Sequence, residues 1–125
     1  MRILITGIQA DRCSALEFYL QHRLDLEEVA IATDYQVMLA QAQAAQPDII
    51  LLDPSMSNQP LVALIHGLQK LEYEPQVILI NLEPEYQQTA HSLGVHSMVL
   101  NGDPVKKTLI AIETIRLQHT NDEFT

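Results

Sequence analysis

The sequence predicts an α/β protein of one domain, in which helices cover both faces of a doubly wound, five-stranded parallel sheet. Short apolar runs alternate with segments of helical periodicity along the 125 residues, which is the order typical of parallel sheets. Residues 49–52 are apolar at every position, as expected of a strand buried on both faces. One carboxylate, Asp53, follows directly, where open α/β sheets carry their chemistry.

Five segments have the composition of strands. Each is a short apolar run bounded by glycine, proline or polar residues. The predicted strands are residues 2–6, 28–32, 49–52, 77–80 and 97–100. The second is the weakest prediction because its apolar side chains are small. Right-handed crossovers between such strands lead to a doubly wound sheet.

The segments between the strands show a helical period. The predicted helices are residues 10–23, 34–45, 60–70, 84–93 and 103–118. Thr33 or Asp34 can cap the second helix, Gly94 can end the fourth, and Asp103 with Pro104 can open the fifth. The expected core stripe of the fifth helix is Val105, Leu109, Ile112 and Ile115. We therefore assign residues 1–118 to the domain and residues 119–125 to a polar C-terminal tail or linker stub.

Composition excludes several classes of function. The net charge of −9, from 16 acidic and 7 basic residues, argues against a nucleic-acid surface. Cys13 is the only cysteine, so neither a disulfide framework nor a cysteine-based metal site is expected. No segment approaches the roughly 20 apolar residues of a membrane span, and the first strand begins without a targeting peptide. We expect a cytoplasmic protein without membrane contact.

Five stretches together carry a family likeness: RILIT, PDIILLD, VILI, LGVHSMVL and DPVKKTLIAI. On these stretches, and over nearly its whole length, the chain resembles the receiver domains of two-component response regulators, the CheY-like family. The resemblance implies a flavodoxin-like sheet of order 2-1-3-4-5. It also implies a phosphorelay function in signal transduction, no enzymatic activity of its own, a sensor histidine kinase as partner and Asp53 as phospho-acceptor.

The remaining positions of the receiver site carry different residue types from those of the family. Receivers have two acidic residues after the first strand, a hydroxyl residue after the fourth, and an aromatic residue and a lysine on the fifth. The residues at these positions are Gly7 and Ile8, Asn81, Met98 and Asn101. Only Asp53 of the chemical set is present, so the resemblance is to an atypical member, a pseudo-receiver.

These replacements affect both sources of positive charge at the site. Magnesium requires a cluster of oxygen ligands, and phosphoryl transfer depends on charge neutralisation by metal and cation. We therefore expect no metal or cofactor and slow or absent phosphorylation of Asp53. Asn81 and Asn101 are expected to donate amide hydrogens to its carboxylate instead. Asp11 and Glu83 fit helix starts better than ligand roles, and His96 is the one histidine expected near the site.

Three functions remain open on the sequence. The first is a pseudo-receiver that acts by protein contact, for which Phe18 and Ile110, off the core stripes of the first and last helices, are candidate interface residues for a partner or a homodimer. The second is a phosphorylatable receiver with a rearranged acidic site. The third is a flavodoxin-like domain that binds a small ligand, since one fold hosts many functions. The flavin phosphate loop and the cobalamin Asp-x-His-x-x-Gly run are both missing.

Overall fold

Parallel strands and helices alternate along the whole chain. The computed structural model describes residues 1–123, and their side chains as far as residue 118. The strands are β1 (Arg2–Thr6), β2 (Glu28–Ala32), β3 (Ile49–Leu52), β4 (Gln76–Leu82) and β5 (Met98–Leu100). The helices are α1 (Ala10–Gln21), α2 (Tyr35–Ala45), α3 (Leu61–Gln69), α4 (Gln87–Ser92) and α5 (Lys106–Glu123). Single 3₁₀ turns, Pro54–Met56 and Pro84–Tyr86, follow β3 and β4.

The strand order is β2-β1-β3-β4-β5, and all four neighbouring pairs are parallel. This order confirms the predicted sheet. β3 lies at the centre, with Ile50 aligned to Leu4 of β1 and to Val77 of β4. The carboxyl ends of β1, β3, β4 and β5 therefore meet at one edge of the sheet.

β3 contributes to both halves of the core. Its four side chains are 0% exposed and alternate between faces, as the period of a strand requires. Ile49 and Leu51 pack in a cluster with residues of α1 and α5. Ile50 and Leu52 pack in a second cluster with residues of α2, α3 and α4. The continuous apolar run is thus explained by burial under helices on both sides.

Two of the predicted helix ends are confirmed. Asp34 caps α2, and its Oδ1 accepts a hydrogen bond of 3.1 Å from the Val37 N–H. Gly94 follows the end of α4 with a φ of 88°. Glycine adopts this left-handed conformation without a steric penalty, because it has no Cβ, and this explains why a glycine ends the helix.

The start of α5 differs from the prediction. The helix begins at Lys106, because Asp103 closes a turn after β5 instead of capping the helix. Its Oδ2 accepts from the Leu100 N–H at 2.9 Å, and its own N–H donates to the Leu100 carbonyl at 3.0 Å. Val105 therefore precedes the first helical turn and is 43% exposed, not part of the core.

The end of α5 also differs from the prediction. The helix continues to Glu123, into the stretch assigned to a polar tail, and Phe124 and Thr125 lie outside the described residues. Ile112 and Ile115 are buried on its core stripe, as predicted. No helix within residues 1–123 is long and apolar enough to cross a membrane.

A bulge interrupts the pairing of β4 with β5. Leu79 and Leu82 of β4 are three residues apart, whereas their partners in β5, Met98 and Leu100, are two residues apart. Asn81 lies within this bulge with a φ of 54°. Asparagine tolerates the left-handed region better than most residues, because its short side chain interferes little with the backbone. The bulge turns the Asn81 side chain toward the end of β3.

Substitutions at Asn81 test this conformation. We expect Asn81→Ala to destabilise the protein by about 1–2 kcal/mol, because a Cβ without a compensating polar group is unfavourable at positive φ. Asn81→Gly is expected to retain or exceed the parent stability. Urea unfolding of the two variants gives the comparison directly. Equal stabilities would show that residue 81 does not adopt the left-handed conformation in solution.

Gly67 of α3 provides space for a neighbouring tyrosine. A Cβ at Gly67 would collide with the Tyr35 hydroxyl oxygen. That hydroxyl donates a hydrogen bond of 2.9 Å to the Leu64 carbonyl, and Tyr35 is buried. The glycine therefore allows the tyrosine of α2 to bond to the backbone of α3.

A double-mutant cycle tests the contact between Gly67 and Tyr35. Gly67→Ala alone should destabilise the protein by about 1–3 kcal/mol through overpacking, despite the better helix propensity of alanine. In the Tyr35→Phe background the colliding oxygen is gone, so the same substitution should cost at least about 1 kcal/mol less. The measurement is urea unfolding of all four proteins. An identical cost in both backgrounds would contradict the contact.

Candidate functional site

Asp53 lies immediately after β3 at the carboxyl edge of the sheet and is 8% exposed. Its N–H donates to the Thr6 hydroxyl at 3.0 Å, and that hydroxyl donates to the Leu51 carbonyl at 2.8 Å. Thr6, the last residue of β1, is itself buried. One hydroxyl therefore joins the ends of two central strands and fixes the backbone from which the Asp53 side chain extends.

One oxygen of the Asp53 carboxylate is occupied by the turn that follows. Oδ1 accepts from the Ser55 N–H at 2.9 Å and from the Ser55 hydroxyl at 2.6 Å. Asp53 thereby caps the 3₁₀ turn that opens with Pro54. The role of Ser55 is not predicted from the sequence, although aspartate side chains commonly bond to the backbone N–H two residues further on.

The other carboxylate oxygen of Asp53, Oδ2, has only one long hydrogen-bond contact. Asp53 Oδ2 lies 3.5 Å from Asn81 Nδ2, at the long limit of a hydrogen bond. The predicted contact from Asn101 is wrong. Its Nδ2 donates to Glu83 Oε1 at 3.0 Å, because its backbone N–H is held by the Leu82 carbonyl at 2.8 Å, beside Glu83. The predicted polar cluster thus forms with Asn81 and Ser55, and without Asn101.

The end of β1 supplies no charge to the site. Gly7 is closely surrounded: a Cβ there would lie 3.0 Å from Cys13 Sγ and 3.6 Å from Asp53 Oδ2. The next side chain, Ile8, is apolar and 58% exposed. Burial raises the pKa of the Cys13 thiol, and the negative charge of Asp53 raises it further. A neutral thiol therefore occupies the space beside the carboxylate.

The donor set does not fit a magnesium ion. Gly7 and Ile8 offer no ligand, and the Glu83 carboxylate is bonded to Asn101. Asp11, the other ligand candidate from the sequence, lies exposed in the first turn of α1, and the Asp103 carboxylate is bonded to Lys107 and to the Leu100 N–H. Within the described part of the chain no three His, Cys, Asp or Glu side chains converge as metal ligands would. Magnesium prefers several hard oxygens in an octahedral arrangement, which Asp53 alone does not provide.

A cavity of about 530 Å³ opens beside Asp53. It lies between the carboxyl ends of the central strands, the start of α1 and the segment that leads into α5. Its lining is mostly apolar and includes Ile8, Arg12, Leu16, Asp53 and Val105. Its size falls within the range of small-molecule sites, roughly 300–1,000 Å³.

Two other sequence candidates lie apart from Asp53. Met98, at the start of β5, is aligned with Leu79 and packs against the core cluster under α2, α3 and α4. His96 was expected near the site, but it precedes β5 and so lies at the amino edge of the sheet, opposite Asp53. Its ring contacts that of His91 edge to face, with centroids 4.5 Å apart.

The two candidate interface residues are exposed. Phe18 of α1 is 66% exposed and Ile110 of α5 is 50% exposed. Both helices pack on the same face of the sheet, because residues of each belong to the cluster that includes Ile49 and Leu51. The Phe18 ring also contacts the His22 ring, with centroids 4.1 Å apart. Both aromatic and aliphatic surface are thus available on this face.

No family model matches the chain, and the comparisons that identify its fold are with solved structures. The N-terminal domain of an uncharacterized protein from Wolinella succinogenes is 22% identical, with a TM-score of 0.79 and 98% of each chain covered. A CheY-like response regulator receiver domain protein from Methanospirillum hungatei is 18% identical, with a TM-score of 0.79 and 98% and 97% covered. A LuxR-family two-component response regulator from Aurantimonas is 16% identical, with a TM-score of 0.80 and 91% and 83% covered. The chain therefore has the CheY-like, flavodoxin-type fold.

Proposed function

We propose that this chain is a receiver-like module of two-component signal transduction that signals by protein contact and not by magnesium-dependent phosphorylation of Asp53. The observation that carries the proposal is the state of the Asp53 carboxylate. By the resemblance to receivers Asp53 is the candidate phospho-acceptor, yet its hydrogen bonds come from Ser55 and Asn81. In this proposal the module has no enzymatic activity of its own.

The charge at the site supports this proposal. None of the ion pairs among residues 1–118 includes Asp53, and Asn101 at the position of the receiver lysine is neutral. Phosphoryl transfer proceeds by positioning and by neutralising the charge on the transferred group. Without a metal cluster or a lysine, the transition state at Asp53 Oδ2 lacks that stabilisation. Phosphorylation there is accordingly slow.

A flavodoxin-type function is disfavoured by the same carboxylate. A flavin phosphate requires several hydrogen-bond donors at the end of β1, since nests of N–H groups and hydroxyls bind such anions. Thr6, the hydroxyl residue at that end, already bonds to Leu51 and Asp53. The buried charge of Asp53 nearby repels a phosphate. We therefore assign the site to signalling and not to a phosphate-bearing cofactor.

The proposed partners are a sensor histidine kinase or other signalling proteins, in the cytoplasm. The proposed surface is the outer face of α1 and α5, where Phe18 and Ile110 are exposed. Large apolar side chains exposed on one face of a protein are candidates for a contact site. A second copy of the chain is the alternative occupant of this face.

Intact-mass spectrometry tests the proposal. The parent is incubated with acetyl phosphate and millimolar Mg²⁺, with Asp53→Asn as the matched control. We expect no phosphoryl adduct on either protein, because neither a metal cluster nor a lysine assists transfer to Asp53. A conventional receiver treated in parallel verifies that the donor is active. An adduct on the parent that is missing from the control would overturn the proposal in favour of a phosphorylatable receiver with a rearranged site.

A variant designed to bind magnesium tests whether the residues at positions 7 and 8 are the reason for the weak metal site. The variant Gly7→Asp/Ile8→Asp/Cys13→Ala restores two carboxylates and removes the sulfur that a Cβ at Gly7 would meet at 3.0 Å. Repulsion among three carboxylates should lower its stability without metal. Millimolar Mg²⁺ should then raise its Tm by a few degrees, through preferential binding to the folded state.

The parent is expected to show no change of Tm with Mg²⁺. Adding Asp53→Asn to the three-substitution variant should reduce the response, because one of three ligands loses its charge. A parent that responds to Mg²⁺ as strongly as the variant would disprove the account, since the ligands would then lie elsewhere.

A further inference from the structure

The cavity beside Asp53 combines an apolar wall with a buried carboxylate that has room for another donor. Its volume of about 530 Å³ suits a small organic molecule,. We propose that it binds a small organic cation, a primary amine that carries an apolar group. The ammonium donates to Asp53 Oδ2, and the apolar group lies against Ile8 and Val105.

The carboxylate provides the first line of argument. Asp53 is 8% exposed, and a buried charge is costly unless it is paired. Its two short hydrogen bonds both reach Oδ1, while Oδ2 has only the Asn81 amide at 3.5 Å. No ion pair among residues 1–118 includes Asp53. A ligand with N–H donors and one positive charge supplies what Oδ2 lacks.

The second carboxylate of the cavity makes Asp53 the specific anchor. Asp103 also lines the cavity, but Lys107 Nζ lies 3.5 Å from its Oδ1. Its Oδ2 accepts from the Leu100 N–H at 2.9 Å. Asp103 is therefore already neutralised and bonded. Arg12, the cation among the lining residues, is exposed to solvent, so the buried uncompensated charge in the cavity belongs to Asp53.

The apolar wall provides an independent line of argument. Ile8 is 58% exposed and Val105 is 43% exposed, and both line the cavity together with Leu16. Val105 fits a helical core stripe by sequence, yet it is exposed and lines the cavity. Covering such side chains is favourable, because it removes apolar surface from water. An apolar group on the ligand covers them.

Charge decides which class of ligand is bound. An anion would face the negative charge of Asp53 in a chain of net charge −9,. A divalent metal would need more oxygen ligands than the site offers. A primary amine is satisfied by one carboxylate and a few neutral acceptors. The combination of one free carboxylate oxygen and an apolar wall therefore selects an amphipathic amine.

The test uses ¹H–¹⁵N NMR titration of the full chain with 2-phenylethylamine, and with 2-phenylethanol as the uncharged analogue. We expect saturable shifts of the amide signals of Gly7, Ile8 and Gly102, which line the cavity. The amine should bind at least about tenfold more tightly than the alcohol, as one charge-assisted hydrogen bond predicts. Asp53→Asn keeps an oxygen for the Ser55 bonds and should reduce the amine affinity about tenfold.

Two further variants separate the cavity from general surface binding. Ile8→Ser should weaken both ligands about fivefold, because it removes part of the apolar wall. The same change at Val37, which is 46% exposed on α2 over the other face of the sheet, should change neither affinity. The dispersion of the amide spectrum verifies that each variant is folded.

Four results would overturn the proposal. Shifts that spread over the surface without saturation would mean that the cavity is not a site. Equal affinity for the amine and the alcohol, or an amine affinity unchanged by Asp53→Asn, would remove the role of the carboxylate. Saturable shifts of the same three amides by Mg²⁺ alone, in competition with the amine, would assign the cavity to a metal ion.

Discussion

The burial of β3 on both faces is the constraint on which the rest of the structure depends. Its four side chains supply both core clusters, so the strand cannot shift without exposing apolar surface on both sides. The strand ends where Pro54 follows Asp53, since proline has no N–H for the sheet ladder. Asp53 is therefore held at the carboxyl edge by packing forces that have nothing to do with its own chemistry.

The position of Asp53 requires that its charge be compensated, and the chain does this locally. In a site with metal and lysine, cations would balance a buried carboxylate. Here the N–H and hydroxyl of Ser55 stabilise the charge through two short hydrogen bonds. Such charge-assisted bonds are strong, and they fix the side-chain rotamer at the same time. The compensation is complete for Oδ1 and incomplete for Oδ2, which gives the site its remaining binding capacity.

The sequence predicts the parts of this fold that depend on periodicity. The apolar run of β3, the buried Ile112 and Ile115 of α5 and the cap at Asp34 follow from local pattern alone, and the structure confirms each. The missed features depend on contacts between elements. The Asp103 turn replaces a helix cap because the Leu100 N–H is available to it. Asn101 meets Glu83 because the bulge in β4 changes the pairing with β5, and no local pattern encodes that bulge.

The lack of magnesium ligands and the apolar lining of the cavity have the same structural cause, which is the packing of α1 against the sheet. Gly7 leaves little room for a side chain, because a Cβ there would lie 3.0 Å from Cys13 Sγ and the sulfur would have to shift slightly. Cys13 in turn belongs to the core cluster under α1 and α5. An acidic residue at position 7 thus displaces a core side chain as well as changing the surface. The packing of α1 against the sheet fixes an apolar, weakly charged environment around Asp53, and the chemistry of the crevice follows from that packing.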